Sequence, residues 1–162
     1  RIGPDPAGNP NYRLYRHRCG QVQRIARVNM LHGQCDCAAC GESWSSKPST
    51  IYLARISLPG LGGDVVKFGY SAHPDKRFKH QLGLPKAAGV RFLRLLDMPS
   101  GHAACAAEKA ANARLARDFP DLVVPQTIYH GLINVRSEIY WPGLRPVIEA
   151  ELDRISGQTS AR

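Results

Sequence analysis

The sequence predicts an α/β chain of the α+β kind, in which a few strands alternate with helices behind a small cysteine-bearing module. Three observations carry this. Ile51 to Ser57 and Val65 to Gly69 are β-branched or aliphatic runs on either side of the turn-forming stretch Pro59-Gly60-Leu61-Gly62-Gly63-Asp64, so they pair as a hairpin with a longer loop. Ala103 to Ala107 holds only Ala and Cys, and Ala is the best helix former. Four of the five cysteines, Cys19, Cys35, Cys37 and Cys40, fall in the first quarter of the chain.

In order along the chain, Arg1 to Asn11 carries three prolines and two glycines without hydrophobic periodicity and is expected to be an extended, unstructured lead-in. From Tyr12 to Trp44 the sequence offers short strand-like pieces, the basic run Arg13 to Arg18 and the cysteine cluster, which defines a module over 12–44. Ser43 to Ser49 reads as a linker, with a boundary near Pro48. After the hairpin, Pro74 opens a helix to about Leu82 with Phe78 and Leu82 on one face. Val90 to Leu96 is a third strand. Ser100 is the expected N-cap of a helix from about His102 to Arg117, in which Cys105 is read as a small buried residue. Pro142 opens a last amphipathic helix through Leu144, Val147, Ile148 and Leu152, and Val123 to Tyr140 between them resists assignment.

The chain has 22 Lys and Arg against 13 Asp and Glu, a formal net charge of +9. Such a balance favours a polyanionic partner through counterion release, with nucleic acid as the leading candidate. No run of eighteen apolar residues and no signal-peptide core occur, so the expected setting is intracellular, a bacterial-type cytoplasm or nucleoid, with no membrane partner. The chain opens on Arg1 rather than Met, which leaves room for an upstream targeting segment or domain.

Cys37-Ala38-Ala39-Cys40-Gly41 is a C-x-x-C followed by Gly, and His17-Arg18-Cys19-Gly20 supplies a second ligand pair with its own Gly. Zinc takes four S or N ligands in a tetrahedron, and a Gly after the second ligand lets backbone N–H groups turn toward the thiolates. His17, Cys19, Cys37 and Cys40 are therefore the candidate set for structural Zn²⁺, with Cys35 or His32 as the alternative fourth ligand to His17. The arrangement resembles a short zinc ribbon, with a tighter gap between His17 and Cys19 than usual. Arg13, Arg16, Arg24 and Arg27 flank it as candidate phosphate contacts.

Thr50-Ile51-Tyr52 at the start of one strand and Lys67-Phe68-Gly69-Tyr70-Ser71 at the end of the next are followed by Asp75-Lys76-Arg77-Phe78-Lys79-His80, then Ala106-Ala107-Glu108, then Ser137-Glu138-Ile139-Tyr140. In this order they resemble the motifs of the GIY-YIG nuclease superfamily, in the branch whose second motif reads Lys-Ile-Gly before an aromatic and a Ser or Thr. Thr50 stands here for Gly and Lys67 for Tyr. The resemblance covers residues 50–156 and implies a small antiparallel three-stranded sheet flanked by helices. It implies a metal-dependent DNA endonuclease in which Glu108 holds one Mg²⁺ or Mn²⁺, Arg77 contacts the scissile phosphate and Tyr52 activates or positions water.

Phosphodiester hydrolysis needs a base for the attacking water, a cation at the developing charge and help for the leaving oxygen, and Tyr52, Arg77 and Glu108 can supply these. Lys67, protonated, is expected to contact phosphate or to lower the pKa of a neighbouring hydroxyl. His80, one turn from Arg77, is a candidate acid, base or phosphate ligand, with a surface role as the alternative. Glu138 is read as a brace. Lys76 and Lys79 are further candidate phosphate contacts. The competing reading is a non-catalytic or weakly catalytic nucleic-acid-binding module on a nuclease-like scaffold, and the two part on whether Tyr52, Arg77 and Glu108 converge on one cleft.

Overall fold

Alternation of side chains across a strand buries one set of residues on each face of a covered sheet, and Ser49–Ser57 is covered on both. The computed structural model describes residues 1–32, 35–41, 48–135 and 137–160. In it Ser49–Ser57 (β4) is central, pairing antiparallel with Asp64–Ser71 (β5) and with Gly89–Met98 (β6), with a register shift between Leu53 and Ala54 on the β6 side. Ile139–Tyr140 (β7) adds a two-residue edge strand, giving the order β6-β4-β5-β7. The fold is thus mixed α and β with antiparallel sheets, and the main sheet has four strands where the sequence predicts three.

Ile51 and Leu53 face one core with Phe68, Ala104, Ala111, Leu115, Ile148 and Leu152, contributed by Gly101–Asp118 (α3) and Arg145–Ser160 (α5). Tyr52, Ala54 and Ile56 face the other, with Phe78 of Pro74–His80 (α2), Leu82, Tyr129 and Ile133. Ser100 caps α3 as predicted, its side chain accepting from the Ala103 N–H at 3.1 Å. Cys105, predicted to be buried, is only half-buried, because the buried stripe of α3 runs through Ala104, Glu108, Ala111 and Leu115. Between α3 and β7 the chain forms a short turn of 3₁₀ helix at Pro120–Leu122 and one helical turn at Gln126–Tyr129 (α4).

The lead-in is not loose. Gly3–Pro4 (β1) pairs with Tyr12–Arg16 (β2), which pairs with Val22–Ala26 (β3), in a separate three-stranded antiparallel sheet. The cause is Asp5, whose buried carboxylate accepts from the Ala7 and Asn9 amides and from Arg24 at 2.8 and 3.0 Å. A helix, Arg27–His32 (α1), follows where strand-like pieces are predicted. The side chain of His32, most of the linker over 43–49 and the end of the module at Trp44 lie outside the described residues. Among the described residues no helix is long and apolar enough to cross a membrane.

Candidate functional site

Two clusters of reactive side chains form. In the first, the turn after β2 carries His17 and Cys19, and the turn at Ala38 to Cys40 carries the C-x-x-C. The ligand atoms of His17, Cys19, Cys37 and Cys40 all lie within 4.8 Å of one another. Cys19 Sγ is 3.6 Å from Cys37 Sγ, and His17 Nδ1 is 3.2 Å from Cys19 Sγ and 3.5 Å from Cys40 Sγ. Tetrahedral zinc with ordinary bond lengths spaces two sulfurs about 3.8 Å apart and a sulfur and a nitrogen about 3.6 Å apart, so the donor set fits a metal ion. Burial opposes ionisation of Cys37, yet the Cys40 and Ala39 amides and the neighbouring thiols outweigh it and lower its pKa. Cys35 falls outside the set. Burial, with Asp36 beside it, raises its pKa and keeps it a thiol. Asp36 instead meets His102 at 2.9 Å, tying this loop to the first turn of α3.

The basic residues of the module divide. Arg24 is held by Asp5 and stacks 3.7 Å over the Tyr12 ring, and Arg13 donates to the carbonyls of Pro10 and Tyr12, so both have structural partners. Arg16 and Arg27 are exposed, as are Lys76 and Lys79 on α2.

The second cluster lies where β7 stops and leaves the end of β5 open. Tyr52 (β4), Lys67 (β5), Arg77 (α2) and Glu108 (α3) come together with Glu138, which precedes β7. Gly69 stands opposite Tyr52 in the β4/β5 register, and the reason for the glycine is direct: a Cβ there would lie 2.8 Å from Tyr52 Oη and 3.0 Å from Cζ. The ring cannot retreat, because it packs edge-on against Phe78 at 5.2 Å and Phe92 at 6.1 Å. Gly69→Ala is therefore expected to destabilise the fold by about 1–3 kcal/mol through overpacking. Thermal melts check this, and Tyr52→Phe in the same background, which removes the closest atom, is expected to recover part of the loss.

Lys67 does not reach a phosphate-facing surface. It is fully buried, and its Nζ donates to Glu138 Oε2 at 2.9 Å. Burial pushes its pKa down, opposed by Glu138. Nor does it acidify a hydroxyl: burial pushes Tyr52 up to about 12, and the charge that opposes this is Arg77. Glu108 is 2% exposed, and burial followed by the negative charge of Glu138 pushes its pKa up to about 8. The cluster thus sets two carboxyls, the buried Glu108 and the half-buried Glu138, beside two cations, Lys67 and Arg77. His80 is exposed at the end of α2 and does not line the cleft that holds Arg77 and Glu138.

Among the described residues, the buried side-chain polar atoms without a hydrogen-bond partner are Tyr52 Oη, Arg77 Nε and Asn112 Nδ2. Two of them have polar neighbours inside the cluster, Tyr52 beside Arg77 and Asn112 beside Glu108, at contacts short of full hydrogen-bond geometry. No family model, no curated protein and no solved structure matches this chain. The chemistry is therefore read from the cluster itself: a carboxyl that a cation would ionise, a guanidinium, a neutral phenol and an amide beside the carboxyl. Asn112 is a member that motif reading passes over. It follows Glu108 by four positions, one turn along the same face; Tyr140 Oη donates to its Oδ1 at 2.6 Å, and its side chain acts on Glu108. Glu138 exceeds a brace, since it carries the ion pair to Lys67, and it does so from a backbone φ of 70°.

Proposed function

We propose that the chain is a metal-dependent nuclease of the GIY-YIG type that hydrolyses DNA phosphodiester bonds, with Zn²⁺ held by His17, Cys19, Cys37 and Cys40 in a module that adds phosphate contacts. The grouping of Tyr52, Arg77 and Glu108, whose charges act on one another, carries this reading; Arg77 lines the adjoining cleft, while Tyr52 and Glu108 are buried. Glu108, whose pKa burial and then Glu138 push up to about 8, is the carboxyl the cluster offers a divalent cation, and a bound cation would favour its ionised form. Glu108 would hold the ion, and bound Mg²⁺ or Mn²⁺ supplies charge to the phosphate as its geometry changes.

The remaining roles belong to the chain's own groups. Arg77 pairs with a non-bridging phosphate oxygen, which satisfies its buried Nε–H and stabilises the developing charge. Tyr52, neutral at physiological pH, orients the attacking water through Oη, and its packing fixes that oxygen in place. Lys67 holds the Glu138 carboxylate in place through the 2.9 Å ion pair. Water's oxygen bonds to phosphorus as the bond to the leaving oxygen breaks, and the proton the water loses passes through solvent, so that the leaving oxygen departs as a hydroxyl.

Arg77→Ala and Tyr52→Phe are expected to lower the single-turnover cleavage rate by on the order of a hundredfold or more, with filter-binding affinity changed only a few-fold. Parallel loss of binding and cleavage would instead make these residues part of the DNA grip. Phosphate contacts by Arg16 and Arg27 are expected to steepen the salt dependence of binding. Neutralising both is expected to lower the log–log slope by about two, and an unchanged slope in a salt titration would remove the module from the contact surface.

A further inference from the structure

The loop from Pro125 to Glu138 has ends that touch. The Val124 N–H donates to the Ile139 carbonyl at 2.9 Å, and Val123 bridges Tyr140. Tyr129 and Ile133 plug the loop into the core, and the Asn134 N–H donates to the Leu82 carbonyl at 2.7 Å, tying it to the end of α2. A compact loop closed at its base and filled by its own side chains is a common carrier of function.

Between this loop and α2 lies a cleft of about 620 Å³, and its lining includes Arg77 and Glu138 of the cluster described above. The outer part is lined by Gln126, His130 and Asn134, whose side chains are exposed. None of the three is used in the chemistry assigned to Tyr52, Arg77 and Glu108. Two carboxamides and an imidazole, each able to donate and accept, form the kind of lining that reads the edge of a nucleobase, and a carboxamide matches the donor and acceptor pair of adenine.

Building on the nuclease reading, we propose that this cleft receives the nucleobase next to the scissile phosphate and that Gln126 and Asn134 read its edge, giving the enzyme a base preference beside the cut. Arg77 sits at the junction, so a phosphate on its guanidinium places the neighbouring base at the loop. Gly131, with φ of 80°, turns the chain so that His130 and Asn134 both face the cleft.

The test is to cut a duplex DNA library randomised in sequence with the wild-type protein in Mg²⁺ and Mn²⁺, sequence the ends, and repeat with Gln126→Ala/Asn134→Ala. Both substitutions keep Cβ, and thermal melts verify that the variant folds. The expected result is a base bias at one position beside the cut, flattened in the variant, with the rate on favoured sequences falling about tenfold and that on disfavoured ones unchanged. No bias in the wild type, or a bias that persists in the variant, overturns the inference. If the wild type cuts nothing, the nuclease reading fails, and the cleft is judged by binding selection on the same library. Enrichment that disappears in the variant then sustains base reading, and its absence overturns it.

Discussion

Glu108→Gln is expected to abolish metal-dependent cleavage, by on the order of a hundredfold or more, while DNA binding stays near that of the wild type. A carboxylate that positions the cation serves the transition state, and the amide that replaces it keeps the shape of the site without the charge. The same substitution is expected to make the metal-free protein more stable, by a few degrees in Tm on the order of the gains seen when strained functional groups are removed. The sign follows from the titration. Glu108 has a folded-state pKa raised from 4.5 to about 8, so between these values the unfolded chain releases a proton that the folded chain retains. Unfolding is then favoured as pH rises, and wild-type stability falls across that window. Melts of wild type and variant from pH 4.5 to 8 without metal check this: the wild-type curve is expected to fall relative to that of Glu108→Gln. Parallel curves would mean that Glu108 is ionised in the folded protein.

Removing the zinc ligands is expected to have the second large effect. The N-terminal sheet buries little, with Ile25 the buried apolar residue of its paired strands, so a zinc ion at this cluster is expected to supply on the order of 10 kcal/mol of the module's folding free energy. Elemental analysis is expected to find one zinc per chain. Cys37→Ser with Cys40→Ser is expected to lose it and to expose residues 1–41 to protease, whereas Cys35→Ser retains it, because Cys35 lies outside the tetrahedral group. Full zinc content in the double variant would refute the site. The Asp36 to His102 contact makes a further consequence local: loss of the knuckle releases a restraint on the first turn of α3, the helix that carries Glu108.

The ligands of the knuckle could be read in the sequence because spacing alone brings Cys37 and Cys40 onto one turn and Gly20 and Gly41 adopt the positive φ that such corners need. Glu108 could be read because it is the acid within the Ala104, Ala111 and Leu115 stripe of a helix already apparent from composition. Lys67 is legible as a site residue, but its burial against Glu138 is not. Its burial depends on Glu138 arriving from seventy-one residues away and on β7 ending after two residues, neither of which has a local signal. The same applies to β1, whose pairing depends on Asp5 meeting Arg24, and to α1, six residues without an acidic first turn to mark its start. Asn112 had a signal in its spacing from Glu108, but only the bond from Tyr140 shows which edge of its amide faces the site.

The most direct measurement of the central claim is the conversion of supercoiled plasmid by purified wild-type protein in Mg²⁺ or Mn²⁺, set against the same reaction in EDTA and against Glu108→Gln. Nicked or linear product is predicted with metal and wild type together, and neither of the other reactions is expected to yield it. Wild-type protein that binds the plasmid and leaves it intact, or product that forms equally in EDTA or with Glu108→Gln, would contradict the account.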